Sequence, residues 1–282
     1  MKKGINIFNE TLVTGANGMV GSYVDFGYKM DHRSLDITDL NDALSVVKKY
    51  KPKVIIHLAA ETDVPRCERD PQHAYFVNSI GTYNMALAAK SVNAKFVYIS
   101  TSAVFDGMKK GPYKETDTPN PQDYYGRSKY LGEAIVKDAL SDYIIARIAW
   151  VFGGGKKKDQ KFVAKMIAQM KNPEVKVVRG VIGSPTYGKD LIAALKKLIL
   201  SDKRGVFHLS NKGVASRLDI VSEIARITHS GAKLIEVSPD FFGLKTNEST
   251  NQSMTSKVSL MRPWKQALKE YIQDEWGDFI NK

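Results

Sequence analysis

Residues 11–21 read Thr11-Leu-Val-Thr-Gly15-Ala-Asn-Gly18-Met-Val-Gly21. A short apolar, β-branched run ends in three glycines spaced three apart. Glycine permits a tight turn and lets backbone approach a ligand closely. Where such a turn opens a helix, the free N–H groups at the helix start favour a phosphate. The pattern therefore points to the pyrophosphate of a dinucleotide, with Gly15, Gly18 and Gly21 around it. A plain glycine-rich turn is the alternative, and the position at a strand–helix junction near the start of the chain favours the ligand.

Working outward, further apolar runs lie at Val54–Leu58, Lys95–Ser100 and Tyr143–Ile148. Each fits a strand buried on both faces. Helical periodicity fills the intervals: Asp39–Tyr50 with Asp39 as cap, Pro71–Ala89, and Tyr124–Leu140. The β-α-β-α-β order implies a parallel, doubly wound sheet. Residues 1–150 read as a dinucleotide-binding domain to which 187–210 returns, and residues 151–282 as a mainly substrate-binding domain. In the latter, helices are expected at Phe162–Met170, Lys189–Leu200, Leu218–Ile227 and Pro263–Ile272, and strands at Val175–Val178 and Val206–Leu209. Gly107–Gln122 and Pro239–Ser256 read as long surface loops.

The connection after the glycines is short. Only Ser22–Ser34 separates Gly21 from Leu35-Asp-Ile-Thr-Asp39, too little for a full helix and a full strand. Arg33 in this stretch reads either as a partner for a 2′-phosphate, favouring NADPH, or as an exposed loop charge.

Tyr125-Gly-Arg-Ser-Lys129 places a phenol and an ammonium on one helical face. The ammonium is expected to lower the phenol's pKa toward a useful range. With 13 tyrosines and 32 lysines in 282 residues, about 1.5 such pairs arise by chance, so the pair alone proves little. Its support is order: Ser100, Thr101 and Ser102 sit at the carboxyl end of a strand, where open parallel sheets bind ligands. A hydroxyl there can bond a substrate carbonyl.

The formal net charge is +12. The lysines are dispersed and no zinc-finger or base-stacking motif accompanies them, which argues against nucleic acid. A positive field suits a doubly anionic cofactor and a pyrophosphate-bearing substrate. No run is long enough to span a bilayer, and Cys67, the single cysteine, excludes an internal disulfide. A cytoplasmic setting fits, no metal site is expected, and a homodimer is left open.

Taken together with Leu35–Asp39, His57–Thr62, Val77–Thr82, Ile99–Gly107, Ala149–Gly153, Ile182–Thr186 and Arg262–Trp264, these motifs resemble the extended short-chain dehydrogenases/reductases. Within that class the chain is most similar to the dTDP-4-dehydrorhamnose reductases. The resemblance implies a Rossmann-type doubly wound α/β fold with a smaller C-terminal α/β substrate domain. It implies NADPH or NADH as cofactor and a 4-keto-6-deoxy sugar nucleotide as substrate. It assigns Thr101, Tyr125 and Lys129 to catalysis, with Tyr125 and Lys129 also near the cofactor. Gly15, Asn17, Gly18, Met19, Asp36, Ile37, Ala59, Ala60 and Asn78 would lie near the cofactor too. Thr62, Val64, Ser102, Trp150 and Thr186 would lie near the sugar nucleotide. Bland readings stand beside some of these: Trp150 as a core aromatic, Asn78 as a helix residue bonding a loop, Pro185-Thr186 as a turn.

Three stretches depart from the family pattern. Ser102-Ala103 stands where the family has Asp-Tyr, the Gly21–Leu35 connection is short, and the C-terminal Arg-Pro-x-x-Ser-x-Leu pattern is replaced near Ser249–Ser253. Two other functions share the scaffold: nucleotide-sugar epimerisation or dehydration, and a non-catalytic NADP-binding regulatory role, such as that of a methionine adenosyltransferase regulatory subunit.

Overall fold

The apolar runs of the first half become strands with few exposed residues: β1 (Thr11–Thr14), the short β2 (Tyr28–Met30), then, after helix α1 (Leu40–Tyr50), β3 (Val54–His57). Next come α2 (Val64–Arg69), α3 (Pro71–Tyr75), a π turn (Phe76–Ile80) and α4 (Gly81–Ser91). Strand β4 (Lys95–Thr101), α5 (Tyr124–Ala139) and β5 (Tyr143–Ile148) follow. The computed structural model describes residues 7–242 and 250–280, with side chains through residue 277.

The second half is more fragmented: β6 (Val151–Phe152), α6 (Gly155–Lys158), α7 (Phe162–Gln169), β7 (Glu174–Val178), β8 (Ile182–Gly183), β9 (Thr186–Tyr187), α8 (Gly188–Leu200) and β10 (Gly205–His208). The described chain closes with β11 (Ala215–Ser216), α9 (Arg217–Thr228), β12 (Lys233–Val237), β13 (Asn251–Gln252) and α10 (Trp264–Ile280).

Two compact units result. One comprises the chain up to Val104, Pro119–Arg147 and Ser201–Phe207; the other comprises Phe105–Thr118, Ile148–Leu200 and the chain from His208 onward. Of the stretch 187–210, Ser201–Phe207 lies in the first unit and the remainder in the second.

The first unit carries a six-stranded sheet in the order β2-β1-β3-β4-β5-β10, in which β2, β1, β3 and β4 pair in parallel. The chain leaves β1 to one side for β2 and returns on the other for β3. This reversal makes the carboxyl ends of β1 and β3 the topological switch point, where doubly wound sheets hold ligands. Leu12, Ile55, Phe96 and Ile145 from the sheet pack with Ala43 and Val47 of α1 and with Met85, Ala88 and Ala89 of α4. Asp39 caps α1 by accepting bonds from the N–H groups of Asn41 (2.7 Å) and Asp42 (3.2 Å), an arrangement that contributes about 1 kcal/mol.

The glycine turn differs from expectation in one respect. It is followed by a single 3₁₀ turn, Gly21–Tyr23, and then by extended chain leading to β2. The short connection leaves no room for a helix, so no helix dipole backs the turn.

In the second unit, β8 lies between β11 and β13, β12 pairs in parallel with β7, and β6 pairs in parallel with β9. Arg262 is fully committed: it makes two bonds to Asp190 (2.9 and 3.0 Å) and one to Glu270. This arginine of the Arg262-Pro-Trp264 motif thus ties α10 to α8.

Candidate active site

The glycine turn is held in shape by sterics. Gly15 has φ +66°, and a Cβ on it would meet the Ala59 backbone at 2.7–2.8 Å. A Cβ on Gly21 would lie 2.5 Å from the carbonyl oxygens of Gly15 and Ala16. The two loops at the switch point therefore touch backbone to backbone, bringing Ala59 and Ala60 beside the turn. Thr14 seals the junction: its hydroxyl contacts His57 Nδ1 at 2.8 Å and accepts the Ala59 N–H at 3.2 Å. Burial first, then the Lys129 charge, pushes the His57 imidazole down to about 3, so it is neutral at physiological pH.

Asn17 and Gly18 are exposed on the turn, with Met19 half-buried beside them. This exposed glycine-rich cradle, closed to any side chain at Gly15 and Gly21, fits a pyrophosphate. The Asn17 amide donates to Asp31 at 2.7 Å. Asp31 directly follows β2, the place where an acidic group meets a cofactor ribose in such folds, and sequence reading passed over it. Arg33, two residues on, is exposed, and its N–H donates to the Asp31 carboxylate at 3.1 Å.

Other residues assigned to the cofactor have local duties. The Asp36 carboxylate accepts both the N–H (2.8 Å) and the hydroxyl (2.6 Å) of Thr38, which hold its pKa below the ordinary value. Ile37 is buried against Gly81, where a Cβ would sit 2.8 Å from Ile37 Cδ1. Asn78, on the π turn, accepts the Glu61 N–H (2.8 Å) and donates to the Glu61 carbonyl (3.1 Å) and Ser128 Oγ (3.0 Å). It thus ties the loop after β3 to the helix carrying Tyr125 and Lys129. Thr62 and Val64 lie on that loop and at the start of α2, both exposed. Glu61 braces this segment by pairing with Arg66 at 3.0 Å.

Thr101 and Tyr125 come together at the ends of β4 and α5. The Thr101 hydroxyl accepts the Ala103 N–H at 3.1 Å and lies near enough to the Tyr125 phenol to pull its pKa down. Ser102 is buried in the turn that follows. The approach depends on Gly126, because a Cβ there would run into the Ala103 carbonyl. Asp123 caps the helix at the same point, accepting the Gly126 N–H at 2.6 Å.

The electrostatics correct the expectation for Tyr125. Burial pushes its phenol up to about 12; Thr101 pulls the other way, and Lys129 is not among the groups that move it. Tyr125 is therefore protonated at neutral pH, the form an acid needs. Lys129 is the group brought toward neutrality: burial pushes its ammonium down to about 7, against a smaller upward pull from Glu133. Its Nζ lies 4.2 Å from the centroid of the Tyr98 ring. Tyr98 reaches this place beneath α5 because Gly132 has no side chain to block it.

Below Lys129 lies a buried network. Glu133 accepts from Arg147 Nε (2.8 Å), Arg147 Nη2 (2.7 Å) and Ser100 Oγ (2.6 Å). Burial works to raise its pKa, but Arg147 and Ser100 prevail and keep the carboxylate ionised. Sequence reading missed Glu133, Gly126 and Gly132. Two glycines within one helix, each costing about 1 kcal/mol relative to alanine, were the available signal of close approach.

In the second unit, Trp150 is half-buried in a left-handed backbone conformation, φ +43°, which costs a non-glycine residue about 1–3 kcal/mol. Its Nε1 donates to Gln252 Oε1 at 2.7 Å, and its ring rests on Gly183, where a Cβ would fall within 2.7 Å of ring atoms. The Arg217 guanidinium lies 4.2 Å from the Trp150 centroid and 4.0 Å from that of Phe162. Thr186 is fully buried; its hydroxyl donates to the Ala149 carbonyl and its N–H to the Trp150 carbonyl at 3.2 Å. Its role here is to hold the Trp150 backbone.

Comparison with known proteins places this geometry. The model of the family described as RmlD substrate binding domain matches residues 9–276. The spore coat polysaccharide biosynthesis protein SpsK of Bacillus subtilis is 34% identical over 280 residues, covering 94% of this chain and 97% of that protein. A crystal structure of a dTDP-4-dehydrorhamnose reductase from Clostridium acetobutylicum superposes with TM-score 0.89 at 35% identity, covering 96% of this chain and 99% of that one. The Bacillus anthracis dTDP-4-dehydrorhamnose reductase, solved in complex with NADP, gives 0.88 at 34% identity over 94% and 98% of the two chains.

Proposed function

The chain belongs to the RmlD substrate binding domain family, and from that membership we propose that it is an NADPH-dependent reductase of a 4-keto-6-deoxy sugar nucleotide, of the dTDP-4-dehydrorhamnose reductase type, serving deoxysugar and polysaccharide biosynthesis. The observation that carries this reading is Thr101 at the end of β4 beside Tyr125 of α5, with Lys129 one turn further along the same helix, in a chain aligned over 94–96% of its length with two reductases.

The bound nicotinamide supplies the hydride. Gly15, Asn17, Gly18, Met19 and Gly21 form the turn that would hold its pyrophosphate, with Ala59 and Ala60 alongside. Thr101 Oγ orients and polarises the substrate C4 carbonyl. As the carbonyl oxygen gains charge, Tyr125 gives up its phenolic proton to it. A phenol held near 12 is fully protonated before this step, and its proton leaves only when an alkoxide, the stronger base, forms beside it. Lys129, buried and titrating near neutral pH one helical turn away, is the group that would return a proton to the phenolate. Glu133 and Arg147 hold the lysine's end of α5 in place. On the second unit, Trp150 is assigned to the sugar nucleotide.

Epimerase, dehydratase and regulatory readings are less well supported, because relatives and structures named dTDP-4-dehydrorhamnose reductase match at 32–36% identity, whereas the epimerase and dehydratase structures match at only 16–19%. Among the described residues no helix is long and apolar enough to cross a membrane. The test is NADPH oxidation with a panel of 4-keto sugar nucleotides. Turnover with at least one is expected; cofactor binding without turnover on any of them overturns the reading.

A further inference from the structure

Arg217 is a partly buried cation of the second unit with no carboxylate beside it. Two other arginines of that unit are committed: Arg262 to Asp190 and Glu270, Arg226 to Glu223. Among the described residues the Arg217 guanidinium makes no hydrogen bond or ion pair; its contacts are the two rings, Trp150 and Phe162. The pKa agrees: burial alone moves it, down to about 10, and no carboxylate contributes. A guanidinium costs much to desolvate, and stacking returns only part of that cost.

The surroundings are built to keep it there. Trp150 accepts a strained backbone, gives its indole N–H to Gln252 and sits on a residue that must be glycine. Both rings lie within 4.2 Å of the guanidinium carbon. A guanidinium stacks through its faces, and its N–H edge is what recognises an anion bidentately.

We propose that Arg217, packed against Trp150 and Phe162, anchors the diphosphate of the nucleotide substrate. The ligand class follows from the chemistry: a planar fork matches paired phosphoryl oxygens, and a charge already drawn out of water gains most from a doubly anionic partner. This inference rests on the sugar-nucleotide reading above and adds the residue that grips the phosphates.

The test is calorimetric titration of the full chain with dTDP, UDP and inorganic pyrophosphate, with NADPH as a fold control. Arg217→Met keeps a long stem beside the rings and removes the charge. It is expected to weaken binding of whichever diphosphates the wild type binds by about 10- to 100-fold, with NADPH affinity unchanged. Arg217→Lys keeps the charge without the fork, so an intermediate loss is expected; it also serves if the methionine variant fails to fold. Equal affinity in both variants and wild type, or a wild-type chain that binds none of the three probes, overturns the proposal. Binding of dTDP through Arg217 without turnover of any 4-keto sugar nucleotide sinks the reductase reading and leaves the anchor standing. Turnover with an unchanged KM in Arg217→Met does the reverse.

Discussion

Lys129 and Arg217 are both cations pressed against aromatic rings, one in each unit, yet burial does different things to them. Lys129 sits over Tyr98 and is pushed down to about 7; Arg217 sits against Trp150 and Phe162 and falls only to about 10. An ammonium has a modest pKa to begin with, so burial brings it within reach of neutral pH. A guanidinium starts so high that the same treatment leaves it charged. Burial thus makes one residue a proton carrier and the other a fixed charge. The chemical step should depend on the first and substrate affinity on the second.

The largest effects come from removing the chemistry. Tyr125→Phe is expected to lower kcat by about 10²- to 10⁴-fold with little change in NADPH binding. Lys129→Met should give a loss of similar order, and the double variant little more than either alone, because both serve one proton transfer. Steady-state kinetics and cofactor titration check this; additive losses would separate the two residues. Next is Glu133→Gln, which leaves Arg147 buried beside a neutral amide. A loss of about 3–5 kcal/mol in unfolding free energy is expected by urea denaturation.

The pH dependence of stability sharpens the contrast further. The folded pKa of Lys129, about 7, lies below its unfolded value, so between these values the unfolded chain binds more protons. Stability contributed by this site therefore rises with pH from about 7 to about 10.4, at up to about 1.4 kcal/mol per pH unit. Thermal melts of the unliganded protein should show the rise in wild type and its loss in Lys129→Met. Wild-type and Lys129→Met curves of equal slope would contradict the assignment. The smallest effect is expected at Arg33, exposed beside Asp31: Arg33→Ala should weaken NADPH by about 3- to 10-fold and leave NADH nearly unchanged in fluorescence titrations.

Much of the first unit was legible in the chain. Strands Thr11–Thr14 and Tyr143–Ile148 have the bounds their apolar runs suggest, and Asp39 caps the helix it precedes. What escaped had weak local signals. Strand Tyr28–Met30 is three residues at a sheet edge, and Val64–Arg69 hides behind a proline that serves the first turn of its helix. In the site, residue type was legible but employment was not. Asn78 and Thr186 spend their polar atoms on backbone groups, which no spacing rule reveals. Arg217 at a helix start reads as ordinary surface charge, because Trp150 and Phe162 are distant in sequence and meet it only in the fold. Residues 243–249, with part of the departure near Ser249–Ser253, lie outside the described residues.

The single 3₁₀ turn after Gly21 has a consequence for how the protein draws on the cell. A pyrophosphate held at this turn would lack the partial positive charge of a helix end. Such a grip would suit a coenzyme consumed once per turnover and exchanged with a common reservoir better than one that stays aboard through many cycles.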